Sequence, residues 1–482
     1  MAADGKTPTG KQRSWTWPQV IGLGLSLVVF LLPYVFEFQG LSPAGHRAFS
    51  IFMVAVVLWV TEAIPLHATA ALIIFLQILL LSQQTMLPFP EGAFPEGRSA
   101  PGFGAFYAAL ANPVIMLFLG GFFLADGSAK YRLDRNLARV MLRPFGRKPR
   151  NIMLGMMLIT ALLSMFMSNT ATTATMMAVV IPVLLTLPEG DRMKTGMALA
   201  IPFAANVGGI GTPVGTPPNA IALGALNAAG IPISFLQWMA MAVPLVIVIL
   251  LFAWQLLCRL FPCAVEEMEL RIDSTFDTSR PAVIFYFTAA ITILLWLTEP
   301  LHGVSSSIVG FFPVVMLLST GVFTTKDLQA IQWHVLWLVA GGIALGVGIT
   351  ASGLDGWFLS LVQWEEITPI LLTTVFCLVA LALSTVISNS ATANLIIPIG
   401  MSLAMSGAVH LGALEVSFFI AIGASLAMAL PISTPPNAIA YSTGTVKTKD
   451  MALAGILIGL VGLILFVWVA PLLWKVMGIL PS

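Results

Sequence analysis

Two polar triplets stand out in this chain: Ser168-Asn169-Thr170 and Ser388-Asn389-Ser390. Ser, Thr and Asn cap helix N-termini because their side-chain oxygens accept from N–H groups that have no partner in the helix. A helix starting at such a triplet points its positive dipole end and free N–H groups at whatever lies in front, which suits an anion. Asn169 and Asn389 each carry both a donor and an acceptor, so one amide can serve an anion on one side and a cation on the other. A lone triplet of this kind more often just lets helices pack closely. Two copies at matched positions favour binding.

A second pair of stretches completes the constellation. Gly208-Gly209-Ile210-Gly211-Thr212-Pro213-Val214-Gly215-Thr216-Pro217-Pro218 holds three prolines and four glycines in eleven residues. It cannot run as a continuous helix. Proline suits a first helical turn, so a new half-helix is expected near Pro217. Ala429-Leu430-Pro431-Ile432-Ser433-Thr434-Pro435-Pro436 breaks likewise. Four helix N-termini, two from the triplets and two from the breaks, are then expected to converge near the membrane midplane. Carbonyls unwound upstream of each break are ligands for a hard cation such as sodium. The plainer reading, a proline kink with no ligand, does not account for the pairing.

What is missing narrows the chemistry. No Lys or Arg falls in the expected midplane, so an anion there is held by dipoles and hydroxyls, and bound sodium can supply the compensating charge. No Asp or Glu falls there either, which argues against a proton relay. Glu62 and Glu299 lie near span ends and read as structural, paired or capping. His46, His67, His302, His334 and His410 are scattered without metal spacing, and Cys258, Cys263 and Cys377 read as small apolar filler.

The elements that must position these residues come from an internal repeat. Thr216-Pro217-Pro218-Asn219-Ala220-Ile221-Ala222 recurs letter for letter at residues 434–440. Gly120-Gly121 is echoed by Gly341-Gly342, and Trp59-Val60-Thr61-Glu62 by Trp296-Leu297-Thr298-Glu299. Gly121 to Ser168 is 47 residues and Gly342 to Ser388 is 46; Ser168 to Pro217 is 49 and Ser388 to Pro435 is 47. The chain therefore reads as an N-terminal segment with a first transmembrane helix (1–46), a first repeat (47–260), a linker (261–281) and a second repeat (282–482). Spans are expected near 17–36, 47–65, 66–83, 109–127, 195–230, 238–258, 282–300, 303–322, 333–353, 412–442 and 452–474. Segments 151–187 and 369–406 read as re-entrant hairpins. Their arms, about 15 residues on each side of the tip, reach roughly 22 Å, short of the ~30 Å hydrocarbon core.

Each repeat holds five spans and a hairpin. Five is odd, so the second copy is expected to sit inverted. With the N-terminus on the cytoplasmic side, 19 of the 22 Lys and Arg fall in cytoplasmic segments, leaving only Arg47, Arg98 and Lys475 outside. Segment 128–150 has eight basic residues and one acid, whereas its counterpart 354–368 has Asp355, Glu365 and Glu366 and no base. Opposite charge at corresponding places is what inversion predicts. The stretch 84–108 is expected to be an external loop without a motif.

Composition sets the class. The 482 residues are 58% hydrophobic and 9% charged, against nearly one charged residue in four, roughly, for a soluble protein. The expected fold is an all-α integral membrane unit of about 11 transmembrane helices and two re-entrant hairpins, built as two inverted-topology repeats with broken helices. The first apolar run lacks a small-residue cleavage site and reads as a span rather than a signal peptide. A membrane enzyme would need a nucleophile, a metal set or a cofactor site, and none is evident. Inverted repeats whose broken helices meet at the midplane favour alternating access over a simple pore. The expected partners are a small dianion, sodium and the bilayer, with no nucleic acid and no cofactor beyond sodium as coupling ion.

The paired Ser-Asn-Thr and Thr-Pro-Pro-Asn motifs resemble those of the divalent anion/sodium symporters, the INDY-like transporters of di- and tricarboxylates and sulfate. The match covers nearly the whole chain after the first helix. The resemblance implies a homodimer in the cell membrane, with a scaffold and a moving transport domain that works as an elevator. It implies sodium at Ser164, Ser168, Asn169 and Gly211, and again at Ser384, Ser388, Asn389 and Ala429. It implies a dicarboxylate, with a C4 acid such as succinate, malate or fumarate as the leading substrate, near Ser168, Asn169, Thr170, Ser388, Asn389 and Ser390, with Thr212 and Pro431 nearby. A sodium-independent dicarboxylate exchanger and a sulfate or tricarboxylate carrier are the alternatives. Three departures stand out: Ser390 in place of Thr, Leu430 where the first repeat has Thr212, and four more residues from Ser168 to Pro182 than from Ser388 to Pro398.

Overall fold

The computed structural model describes residues 16–268, 275–361, 367–407 and 411–478. Lys6, Lys11, Arg13, Glu365, Glu366 and His410 lie outside the described residues. All regular structure among the described residues is helical. The helices are α1 (Trp17–Val35), α2 (Pro43–Thr61), α3 (Leu66–Leu81), α4 (Phe103–Ala108), α5 (Pro113–Lys130), α6 (Leu133–Leu142), α7 (Pro149–Phe166), α8 (Asn169–Thr186), α9 (Met193–Gly209), α10 (Pro217–Ala228) and α11 (Phe235–Leu260). There follow α12 (Arg280–Leu297), α13 (Glu299–His302), α14 (Ser306–Ser319), α15 (Thr325–Ala330), α16 (Trp333–Ser352), α17 (Leu354–Ser360), α18 (Pro369–Val386), α19 (Asn389–Met405), α20 (Ala413–Ser425), α21 (Pro435–Ser442), α22 (Thr448–Ile464) and α23 (Ala470–Val476).

Proline explains many of the starts. Helices α2, α5, α7, α10, α18 and α21 each open on Pro, whose missing N–H would have had no helical partner there anyway. Among the described residues, ten helical runs are long and apolar enough to cross a membrane, α7, α8 and α18 among them. The expected spans at 66–83 and 303–322 are shorter than that, as α3 with 16 residues and α14 with 14. The hairpin arms are longer than expected: α7, α8 and α18 have 18 residues each, or about 27 Å.

Helices from the two halves exchange partners. α5 packs along α14, and α16 packs along α3. At Gly120 a Cβ would strike the Gly310 carbonyl, and at the matching Gly341 it would strike Ala70. Only glycine permits these approaches. Trp59 Nε1 donates to the Leu66 carbonyl at 3.2 Å and Trp296 Nε1 to the Ser306 carbonyl at 3.0 Å, each the first residue of the next long helix. The stretch 84–108 is less featureless than its sequence suggests. It ends in α4, and buried Arg47 holds its start by donating to the Leu80, Leu87 and Pro88 carbonyls.

The hairpins define the centre. Arms α7 and α8 both pack on α9, and arms α18 and α19 both pack on α20. α9 stops at Gly209 and the chain resumes as α10; α20 stops at Ser425 and resumes as α21. The resumed halves cross over: α10 packs on α19 and α20, and α21 on α8 and α9. Each broken helix therefore continues beside the other half's hairpin.

Candidate functional site

The geometry of each tip starts from a serine one turn before it. Ser164 Oγ lies 2.6 Å from Asn169 Oδ1 and 2.9 Å from the Ala205 carbonyl of α9. Ser384 Oγ lies 2.8 Å from Asn389 Oδ1 and 2.8 Å from the Ala424 carbonyl of α20. Each hydroxyl has one proton and faces two acceptors. In the first tip the same amide atom of Asn169 also lies 3.1 Å from the Gly215 carbonyl and 3.3 Å from that of Ala205. With nitrogen at that position, the amide donates to all three neighbours. With oxygen there, four oxygens converge, an arrangement that is stable only around a cation.

The helix breaks are held open by an asparagine that the sequence displays but does not explain. Asn219 Nδ2 donates to the carbonyls of Gly209, Ile210 and Thr212 at 3.1, 3.3 and 2.8 Å. Asn437 Nδ2 donates to those of Met428 and Leu430 at 2.8 and 3.0 Å. Each amide takes the carbonyls on both sides of one residue, Gly211 in the first break and Ala429 in the second. Those are the two positions expected to offer a carbonyl to sodium. The signal for Asn219 and Asn437 was the seven-residue identity, whose last polar letter had no role until the loop closed around it.

Glycines bring the first break close to its tip. A Cβ on Gly209 would lie 2.5 Å from the Asn169 side-chain oxygen, and one on Gly215 would strike the Gly209 carbonyl. Thr212, expected near the anion, is buried, and its hydroxyl donates to the Met165 carbonyl at the end of α7. It braces the hairpin. In the second half Leu430 takes the matching position, and Ser433, three residues on, makes the matching bond to the Thr385 carbonyl at 2.8 Å. The hydroxyl that Leu430 lacks is restored from the next turn of the loop.

Burial sorts the expected ligands into two groups. Ser164, Gly211, Ser384 and Ala429 are buried; Ser168, Asn169, Ser388, Asn389, Ser390 and Pro431 are half-buried; Thr170 is exposed. The residues expected to serve the cation alone are therefore buried, Thr170 lies at the open edge, and the serines and asparagines expected to serve both ligands lie between.

The two hairpins differ in their surroundings. α19 packs against α16, where Asn394 Nδ2 donates to the Leu338 carbonyl at 3.0 Å, and α10 also lies on α16. α8 makes only slight contact with α5. Thr170, Ala174, Ala178, Ile181 and Leu185 leave one stripe of α8 exposed from the tip to its far end. Glu299 is structural, as expected: its carboxylate accepts from Phe235 N at 3.1 Å and Ser306 N at 3.3 Å, at the starts of α11 and α14. Glu62 ends α2 in the left-handed region, φ 47°, and is exposed.

Residues 13–480 match the model of the sodium:sulfate symporter transmembrane region. The sodium-dependent dicarboxylate transporter SdcS of Staphylococcus saprophyticus is 30% identical over 502 residues, covering 95% of this chain and 92% of that protein. SdcS of Staphylococcus aureus is 31% identical over 497 residues, with the same coverage of 95% and 92%. Among solved structures, the YdaH transporter of Alcanivorax borkumensis, described as having an unusual topology, aligns over 96% of this chain and 99% of its own. Its TM-score is 0.57 at 13% identity, a likeness of fold.

Proposed function

We propose that this chain, which belongs to the sodium:sulfate symporter family, couples the passage of sodium across a membrane to that of a small dianion. The dianion is a C4 dicarboxylate of the succinate, malate or fumarate class. The observation that carries this reading is the pair of Ser-Asn tips, each joining a serine hydroxyl, an asparagine amide and a helix carbonyl, set against a break whose middle residue is bracketed by a second asparagine amide. The sodium dependence and dicarboxylate specificity named for the SdcS relatives support it.

In this reading sodium meets Ser164, Ser168, Asn169 and Gly211 in the first half and Ser384, Ser388, Asn389 and Ala429 in the second. Each asparagine turns its oxygen to the cation and its NH2 outward. That NH2, together with the hydroxyls of Thr170 and Ser390 and the N-termini of α8 and α19, receives the carboxylates. No residue brought together at the tips carries a formal charge, so sodium supplies the positive charge that makes a dianion welcome. This is the physical basis of coupling. Thr212 acts on the hairpin rather than on the anion, and Ser433 does the same in the second half.

Alternating access follows from the unequal hairpins. The repeats are inverted, the chain is multi-pass with a cytoplasmic N-terminus in the cell membrane, and the hairpins with the broken helices move as one body against α5 and α16 of a dimeric scaffold. The exposed stripe of α8 supports a conformation open toward the basic, cytoplasmic face. The deciding experiment is labelled succinate uptake into proteoliposomes with an inward sodium gradient, and with potassium or choline in its place. Sodium-dependent uptake is expected. Uptake that needs internal dicarboxylate and ignores sodium would make the protein an exchanger, and inhibition by unlabelled sulfate or citrate rather than by malate would change the substrate class.

A further inference from the structure

We propose that Asn206 is a positioning residue that couples the two half-sites, and that this coupling runs through one of the two cross-contacts that the duplicated fold offers. The proposal rests on the reading that sodium binds at both tips.

Asn206 lies on α9 and is 2% exposed. Its neighbour Ala205 presents the carbonyl that faces Ser164 in the first tip. Its own side chain points the other way along the chemistry. Asn206 Nδ2 donates to Thr434 Oγ1 at 3.1 Å and to Asn437 Oδ1 at 3.2 Å, both in the second half. Thr434 Oγ1 in turn accepts from Asn437 N at 3.3 Å, and Asn437 Nδ2 holds the Met428 and Leu430 carbonyls on either side of Ala429. One peptide unit, 205–206, therefore has its carbonyl in the first cation cluster and its next side chain on the amide that shapes the second. A cation drawing the Ala205 carbonyl toward itself shifts the anchor of Asn437.

The same contact on the other side is broken. Ala424 corresponds to Ala205, since each faces the serine of its own hairpin, and Ser425 therefore corresponds to Asn206. α20 packs on α10 just as α9 packs on α21. A serine donor atom stands one bond nearer the backbone than the amide nitrogen of an asparagine. Ser425 Oγ and Asn219 Oδ1, the donor and acceptor that would have met, are both buried without a hydrogen-bond partner in the protein. Asn206 thus joins the first half to the second break, while Ser425 makes no reciprocal bond. Two sites coupled through one contact change each other's affinity by a common factor.

The test compares wild type with Asn206→Ser, which copies the residue at 425, and with Thr434→Val, which removes one of the two acceptors. Sodium is titrated in two ways: against the unfolding temperature of the purified protein, and against succinate uptake. The expected result is a cooperative sodium curve in wild type that flattens toward a Hill coefficient of one in N206S. Half-saturating sodium should rise by about fivefold or more, while uptake at saturating sodium is largely kept. T434V should move the same way by less, and the two changes should be non-additive when combined. A merely structural role would lower the unfolding temperature without changing the shape of the sodium curve. N206S with an unchanged Hill coefficient and half-saturation overturns the coupling alone; if N206S does not fold, an unchanged T434V overturns it. A wild type indifferent to sodium in both titrations would overturn the symporter reading, and the coupling with it.

Discussion

At the residue scale the asparagines do the most. Asn169 and Asn389 stand between buried oxygens and an open edge, so each can present opposite ends of one amide to ligands of opposite charge. Losing a hydrogen bond to a charged partner costs about 1.5–3 kcal/mol, so Asn169→Ala and Asn389→Ala should each lower succinate uptake by roughly 10- to 100-fold. Both variants should fold, as judged by size-exclusion profile. Gly209 supplies a sharper test of geometry, because its Cβ would press on the Asn169 amide. Gly209→Ala should abolish uptake, whereas Gly24→Ala in α1, where a Cβ meets nothing within 4 Å, should leave it unchanged. The Thr212 and Leu430 positions show the limit of residue matching. Leu430 reads as a lost hydroxyl, yet the brace is made by Ser433.

At the scale of elements, the same hairpin is built twice and set in two environments. Hairpin α18–α19 is fastened to α16 through Asn394, while one stripe of α8 is open from Thr170 onward. Cysteine placed at Ala174 or Ala178 should react with a membrane-impermeant thiol reagent applied from the cytoplasmic side. Sodium with succinate should slow labelling. Equal labelling from both sides, or none, would count against a vestibule on that face. The hairpin braces are also element-scale features. Ser433→Ala removes two hydrogen bonds, one to the Thr385 carbonyl and one from Leu430 N, of about 0.5–1.5 kcal/mol each, and it should raise half-saturating sodium in uptake more than it lowers expression.

At the scale of the molecule, contacts between the two halves lie at both ends of the fold as well as at its centre. Arg98 of the stretch before α4 pairs with Asp355 of α17. Lys130 at the end of α5 donates to the Val322 carbonyl at 2.9 Å and to Asp327 at 2.8 Å. Asp327 feels desolvation, which raises its pKa, but the Lys130 and Thr324 hydrogen bonds outweigh it, and the net shift is downward. A carboxyl lowered on folding stabilises the protein above its unfolded pKa, and that contribution is lost as pH falls through the folded value. The pair is partly exposed, so its worth is about 1 kcal/mol or less. Unfolding temperature should thus fall slightly more on acidification below about pH 4 in wild type than in Asp327→Asn.

The sequence by itself determined a great deal here because hydrophobic run length, proline, glycine and duplicated motifs are local signals. They identify an all-helical membrane chain, place a helix start near Pro217 with its counterpart at the second break, and single out the Ser-Asn tips. The arms came out three residues or so longer than the apolar pattern suggested, since α7 and α18 begin at prolines in polar surroundings. What only the tertiary structure decided was pairing. Whether Thr212 faces a ligand or a carbonyl, which carbonyls Asn219 and Asn437 take, and that Asn206 reaches Thr434 and Asn437 some 230 residues away, depend on how α9 and α20 are enclosed. Hydrogen-bond partners in a buried, water-poor centre are chosen by proximity in space, and the two halves, which share their motifs, resolve that choice differently.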